Sequence, residues 1–291
     1  MNRLFYGRKV LKAPNFSYYE ALTIEDAVKF KSDNVDSVFL AGGQSLMPTL
    51  NMRLSSPSSL IDINQIEDLK KINIEKDVIN IGALCTHAEL ISNNLINKHF
   101  SILPKILKHV AHPAIRNKGT HGGSIAYADP AAELPALAVA LDAEFTLVGL
   151  NGKRVVSANN FYLGLFETEL KEDEIITNIC YPKIDHNHLV MFEEIVRRHG
   201  DYAMAGIIGS IKKNNKKISD IKLVFFGTGD KPNIAEETSK YLITNNYEYE
   251  TVKKILKSDI EFTSDINSSS EMKAHLATVL IEKIFDGLSN E

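Results

Sequence analysis

Apolar and polar positions change period several times along the chain, and each change marks an element. Ala13–Ala21 reads as extended, and Thr23 caps a helix over Ile24–Asp33 with Glu25 and Asp26 in its first turn. The apolar run Val38–Ala41 predicts a strand that ends at a double glycine, so the first segment is a small strand-helix-strand unit. From Ser59 the pattern becomes short β runs, SLIDI at 59–63, LKKINIE at 69–75 and VINIGAL at 78–84, followed by helical stretches across Thr86–Val110. After a loop at 112–130 come an apolar helix at Leu134–Asp142, a strand at Glu144–Leu150, a GKR turn, and a strand around Glu174–Tyr181.

The polar stretch DHNH at 185–188 reads as a boundary. Three extended runs follow at Val190–Arg197, Met204–Lys212 and Ile218–Phe226, which predict a three-stranded antiparallel sheet. Apolar residues at three- and four-residue spacing then predict helices over Asn233–Thr244, Glu248–Lys257 and Ser270–Leu288. The expected fold class is α+β, with residues 1–56 and 57–182 as two subdomains and 183–291 as a sheet-plus-helices domain.

Composition narrows the function classes. The 291 residues, 44% apolar and 24% charged, suit about two globular domains and exclude a disulfide-stapled miniprotein or wholesale disorder. The net charge of −4, with no long single-sign run, lacks the footprint of a nucleic-acid binder. Two cysteines, Cys85 and Cys180, cannot supply the thiolates of an iron–sulfur cluster, and such usage suits a reducing compartment. The N-terminal MNRLFYGRKVLKAPNF lacks a signal-peptide core, and the apolar run near Leu134–Leu141 is far short of the roughly 18 residues of a membrane span. The expectation is a cytoplasmic protein with no membrane span. The tract KKNNKK at 212–217 is assigned to nucleotide bias.

Candidate chemistry sits in two glycine-rich stretches. In LAGGQSLMPTLNMRL at 40–54, Gly42 and Gly43 permit positive φ and close approach to a ligand, and Ser45 adds a hydroxyl. A helix over Leu46–Leu54 would tolerate Pro48 in its first turn and face an anion with its N-terminus. Taken on its own, this loop is better explained as a tight turn that merely needs glycine. The second stretch, at 111–143, repeats the composition with Gly119, Thr120, Gly122, Gly123 and Ser124. Neither fits GxGxxG or GxxxxGKS/T, so neither a dinucleotide fingerprint nor a P-loop follows. Together they suit a ligand with a pyrophosphate and hydroxylated arms, for which Asp129 and Glu133 are candidate acceptors; helix capping is the alternative role for both. His109 and His112 have i, i+3 spacing but no nearby third ligand, so no metal is assigned. His186–His188 reads as a polar linker, and Arg197 and Arg198 as a solvated pair or a partner contact.

At AGGQSLMP (41–48), IRNKGTHGGSIAYADPAAELPA (115–136), FEEIVRRHGDYAMAG (192–206) and HLATVL (275–280), the sequence resembles the FAD-binding medium subunit of the molybdenum hydroxylases. That group contains carbon monoxide dehydrogenase, nicotine dehydrogenase and the flavin portion of xanthine dehydrogenase. The resemblance implies an FAD site across the first two subdomains. It places pyrophosphate-binding loops on Ala41, Gly42, Gly43, Gln44, Ser45 and Leu46 and on Thr120, His121, Gly122, Gly123 and Ser124. It also implies hydroxyl-binding acids at Asp129 and Glu133 and an aromatic beside the isoalloxazine at Tyr202. This chain departs from the pattern in having Glu193-Glu194 where relatives carry Lys, His121 where many carry an aliphatic residue, and no cysteine-bearing insertion.

The implied role is an electron relay with no catalytic acid or base of its own, taking electrons from a small 2Fe-2S subunit beside a large molybdenum-cofactor subunit. A dimer of heterotrimers is the expected assembly. A stand-alone FAD-dependent oxidoreductase and a cofactor-free assembly subunit are the competing readings.

Overall fold

In the computed structural model, which describes residues 13–214 and 217–289, there are three larger sheets and a two-stranded hairpin, and one apolar helix couples the middle sheet to the last. Most of the N-terminal stretch read for a signal peptide, and positions 215–216 of the lysine-asparagine tract, lie outside the described residues.

The first sheet comes from β1 (Ser17–Glu20), helix α1 (Ile24–Asp33), β2 (Ser37–Leu40), helix α2 (Leu46–Asn51) and β3 (Ser59–Asp62). Its order is β1-β3-β2 with both pairings parallel. The Thr23 hydroxyl accepts from the Asp26 N–H at 3.1 Å, as expected of a helix cap, and α1 buries Ala27 and Val28. Helix α2 stops at Asn51, short of the expected Leu54, where Arg53 turns to φ 57°. β3, which the expected boundary after residue 56 assigns to the second segment, is the central strand of this first sheet.

The middle part contains β4 (Ile72–Ile74), β5 (Val78–Gly82) and helices α3 (His87–Ser92), α4 (Asn94–His99), α5 (Ile102–Leu107), α6 (Pro113–Arg116), α7 (His121–Tyr127) and α8 (Glu133–Ala140). It continues through β6 (Glu144–Gly149), β7 (Gly152–Ser157), α9 (Ala158–Phe161), a short hairpin of β8 (Tyr162–Gly164) and β9 (Glu167–Thr168), and β10 (Ile175–Pro182). Five of these strands form an antiparallel sheet in the order β4-β5-β10-β6-β7. The expected loop at 112–130 is a correction: it holds α6, started by Pro113, and α7, capped by Thr120, whose hydroxyl accepts from the Gly123 N–H at 3.1 Å. The glycine pair lowers helix propensity, yet the cap and the buried Ile125 outweigh it.

The last part has β11 (His188–Ile195), β12 (Ala205–Asn214), β13 (Lys217–Phe226), β14 (Asn233–Ile234) and helices α10 (Glu236–Thr244), α11 (Tyr249–Asp259) and α12 (Ser270–Ser289). The expected three antiparallel strands are present, with the two-residue β14 added at the edge. β14 occupies residues expected to be helical. α10 starts only at Glu236 because Asp259, at the end of α11, accepts from the N–H groups of Glu237 and Thr238 at 3.2 and 2.8 Å.

Helix α8 joins the parts. Every residue from Glu133 to Ala140 is buried, and the helix packs on β12 and β13 while its apolar residues enter the core of the middle sheet with Ile79, Ile81, Phe145 and Tyr181. Its C-terminus is tied by Lys222 of β13, whose ammonium donates to the Val139 carbonyl at 2.6 Å and to Asp142 at 2.7 Å. No helix among the described residues is long and apolar enough to cross a membrane.

The middle sheet is clasped at one end by Arg154 on β7. Its Nε and Nη2 donate to the two oxygens of Glu174 at 2.6 and 2.7 Å, and its Nη1 to Glu169 at 2.8 Å. The Glu174 side chain is only 6% exposed, and Arg154 holds its carboxyl below the usual carboxylate range. Arg154→Met leaves that carboxylate unpaired and is expected to lower unfolding free energy by about 2–3 kcal/mol at neutral pH. A depressed folded-state pKa contributes stability above the unfolded pKa and loses it as pH falls through the folded value, so the deficit shrinks in acid. Urea melts of both proteins at neutral and acidic pH check this; an equal deficit at both would assign the effect to packing of the arginine stem.

Candidate functional site

The first glycine loop leaves β2 with its carbonyls turned into the fold. Ala41 O accepts from Asn64 Nδ2 at 2.9 Å, Gly42 O from Gln44 Nε2 at 2.8 Å, and Gly43 O from the Met47 N–H at 3.0 Å. Ser45 O accepts from the Thr49 hydroxyl at 2.9 Å. The N–H groups of Gly43, Gln44 and Ser45 make no hydrogen bond to the described residues, and Ser45 makes no capping bond. Gly43 has φ 67°, which glycine adopts without strain. In this loop the carbonyls of Ala41, Gly42, Gly43 and Ser45 are bonded within the fold while the three amides are left without a bond to the described residues, a combination that suits an anion.

The second loop is built the opposite way. The N–H groups of His121 and Gly122 donate to Cys85 O and Ala83 O at 2.9 and 2.8 Å, and those of Gly123 and Ser124 to the Thr120 hydroxyl and carbonyl. Its glycines are there for close packing, since a Cβ on Gly122 would overlap Ala83. The expected role of these amides as free anion donors is therefore corrected, because the fold already uses them. What this loop presents is its surface, including Ser124.

The two loops touch backbone to backbone. A Cβ on Gly42 would overlap the Lys118 carbonyl and lie 2.9 Å from Gly119 Cα. Their apposition forms one wall of a cavity of about 650 Å³. Ala41–Leu46, Thr120, Gly122–Ser124, Asp129, Glu133 and Tyr202 all line it. His121 does not: its side chain is wholly buried on the far side of α7, with Nε2 3.0 Å from the Tyr181 hydroxyl, and burial drives its pKa down to about 3. It is a core residue, which corrects both its expected place in the site and its reading as a loop residue.

Asp129 accepts from the Ala131 N–H at 2.9 Å, so it both shapes the turn before α8 and faces the cavity. Burial raises its pKa, opposed by that amide and by the Tyr202 hydroxyl. Glu133 opens α8; burial first, then the charges of Glu194 and Asp129, push it up to about 8, so it holds a proton at neutral pH. Tyr202 stands at the rim in the loop between β11 and β12, 65% exposed. Gly200, at φ 87°, lets that loop close against Ala111 and His112.

His87 is a cavity residue that the sequence reading missed. Thr86 and Glu89 form a capping box, which the T-x-x-E spacing signals, but it takes the bridge between Thr86 and Thr120 and the His87 N–H bond to Gly119 O at 2.9 Å to bring His87 to the second loop. Its Nε2 donates to Thr120 O at 3.2 Å, and burial lowers its pKa to about 4, so the ring is neutral. His109 pairs with Glu194 at 2.9 Å, and Arg197 donates to Asn267 at 3.1 Å.

Residues 14–184 match the family described as FAD binding domain in molybdopterin dehydrogenase, and residues 190–288 match the CO dehydrogenase flavoprotein C-terminal domain. The chain is 35% identical to the glyceraldehyde dehydrogenase medium chain of Sulfolobus acidocaldarius, across 94% of this chain and 98% of the relative. It is 31% identical to the nicotine 6-hydroxylase medium subunit of Paenarthrobacter nicotinovorans, across 94% and 97%. Among solved structures, quinoline 2-oxidoreductase from Pseudomonas putida 86 superposes with a TM-score of 0.90 at 30% identity, covering 96% of this chain and 99% of that one. Carbon monoxide dehydrogenase from Hydrogenophaga pseudoflava superposes with 0.89 at 30% identity, covering 93% and 96%. With two family models covering residues 14–184 and 190–288 and a relative 35% identical over 94% of the chain, the chain belongs to the FAD-binding medium subunits of the molybdenum hydroxylase family of oxidoreductases.

Proposed function

We propose that FAD lies in the cavity between the two glycine loops and that the chain is the flavin end of an electron relay. The observation that carries this reading is that the N–H groups of Gly43, Gln44 and Ser45 make no hydrogen bond to the described residues, and that all three residues line a cavity closed by the second loop. Those amides and the Ser45 hydroxyl suit a pyrophosphate, and Thr120 and Ser124 complete its surroundings. Asp129 and the protonated Glu133 suit the hydroxyls of the ribityl or ribose arm, and Tyr202 at the rim suits the ring. Leu46 adds apolar wall, and Gly42, Gly122 and Gly123 let the protein segments behind that wall pack closely.

FAD supplies the conversion between paired and single electrons; the protein binds, orients and shields it. The partners in this reading are a small 2Fe-2S subunit that delivers electrons and a large molybdenum-cofactor subunit that oxidises the substrate, arranged as a dimer of heterotrimers. Supporting it, relatives are named as medium chains, and one as subunit alpha of the 6-hydroxypseudooxynicotine dehydrogenase complex. A cytoplasmic location agrees with the two cysteines being free thiols. Residues 1–56, 57–182 and 183–291 serve as the units of this reading, with β3 counted in the first sheet although it follows residue 56.

Gly43→Val forces a β-branched residue to positive φ and crowds Leu40 and Met47, each about 3 Å from an added Cβ. FAD affinity is expected to fall about tenfold or more, from strain of about 1–2 kcal/mol plus lost amide geometry. The flavin-to-protein ratio after purification checks it, and an unchanged ratio would remove the first loop from the site. Purification of the tagged chain from its host is expected to bring two companion chains carrying iron–sulfur and molybdenum absorbance together with flavin. Flavin in a solitary chain would support a stand-alone oxidoreductase instead, and an intact complex without flavin would support an assembly subunit.

A further inference from the structure

Between α5 and α6 the chain makes a turn whose carbonyls converge on one side chain. Arg116, at the end of α6, donates from a single nitrogen, Nη1, to Val110 O and Ala111 O at 2.9 Å each and to Lys108 O at 3.3 Å. A cation capping α5 accounts for the Lys108 carbonyl at that helix's end, but the two shorter bonds go to carbonyls beyond it. Ala111 takes φ 45°, a left-handed conformation unfavourable for alanine that persists only where its surroundings impose it. A trans peptide sets its N–H opposite its C=O, so drawing the Val110 and Ala111 carbonyls to Arg116 turns the N–H groups of Ala111 and His112 away from it. Neither N–H makes a hydrogen bond to the described residues. Val110 and Ala111 line the cavity, and Arg116 does not. The same turn meets the loop that carries Tyr202, since a Cβ on Gly200 would lie 2.9 Å from Ala111 O and 2.7 Å from the His112 ring. Carbonyls taken up by the fold and amides left over repeat, at the Tyr202 end of the cavity, the pattern of the first glycine loop.

We propose that Arg116 is a positioning residue that holds the turn at 108–111 so that the Ala111 and His112 amides offer hydrogen bonds to an acceptor oxygen at the aromatic end of the ligand. The proposal rests on the FAD reading, in which the isoalloxazine lies beside Tyr202 and the acceptor is one of its carbonyl oxygens. Arg116 acts through the turn and not by contact with the cofactor. Backbone donors fixed from behind suit an oxygen whose negative charge grows when the ring takes up electrons, because their dipoles are already in place. The amides at Gly43, Gln44 and Ser45 then serve the pyrophosphate and those at Ala111 and His112 the ring, so two separate backbone segments hold the two ends of one ligand.

The test compares the full chain, freed of cofactor, with Arg116→Met and Arg116→Lys. Arg116→Met keeps the stem and removes the donors, and its dissociation constant for FAD is expected to rise about tenfold. Its constant for ADP, which carries the pyrophosphate and adenosine but no flavin ring, is expected to stay within about twofold of the parent value. Arg116→Lys keeps a cation behind the turn and is expected to recover part of the loss. In the parent chain, FAD is expected to protect the Ala111 and His112 amides from hydrogen exchange, a measurement that needs no variant. Equal losses for FAD and ADP assign Arg116 to general folding and overturn the proposal. Unchanged constants in Arg116→Met overturn it as well, and so does FAD binding without protection at 111–112. In those three cases the parent still binds FAD and the FAD reading stands; a parent chain that binds no FAD removes that reading and this proposal together.

Discussion

The backbone contact between Gly42 and the Lys118–Gly119 peptide is the constraint on which the site depends. Two segments more than seventy residues apart approach so closely that no side chain fits between them. Each is pinned from behind. Asn64 at the end of β3 holds the Ala41 carbonyl, and the Thr86–Thr120 bridge with the His87 to Thr120 bond holds the second loop. A side chain at Gly42 would therefore meet the backbone of Lys118 and Gly119, and overpacking of that kind is relieved by separating the loops.

From that contact follows a division of labour between two loops of similar composition. The first spends its carbonyls on the fold and leaves amides bare; the second spends its amides and leaves surface. The last part of the chain reaches the cavity directly at Tyr202, and α8 of the middle part, buried all round, couples the middle and last sheets while its first turn carries Glu133 to the cavity. Lys222 secures the other end of the helix. Burial that makes α8 a structural bridge is the same burial that raises the proton affinity of Glu133.

Much of the fold was legible because it rests on local periodicity: the Thr23 cap, the three strands from β11 to β13 and the amphipathic helices near the C-terminus follow from residues near in sequence. The glycines and hydroxyl residues of the two loops were legible as composition and the rest of the expected positions through the family resemblance; thirteen of the fourteen line one cavity. Three features were not legible because they depend on what packs where. His121 and His87 exchange the roles their positions suggest, since α7 turns His121 toward Tyr181 while α3 turns His87 toward the second loop. Glu194 reads as a lost cation in sequence and proves to be a buried partner of His109, 85 residues away. The amides of the second loop carry no sequence mark of being occupied.

Hydrogen–deuterium exchange of the chain with and without FAD tests the two-loop account most directly. The account predicts strong new protection at residues 42–46 on binding and little change at 121–124, whose amides are already bonded within the fold. New protection confined to 121–124, with 42–46 unchanged, would contradict it.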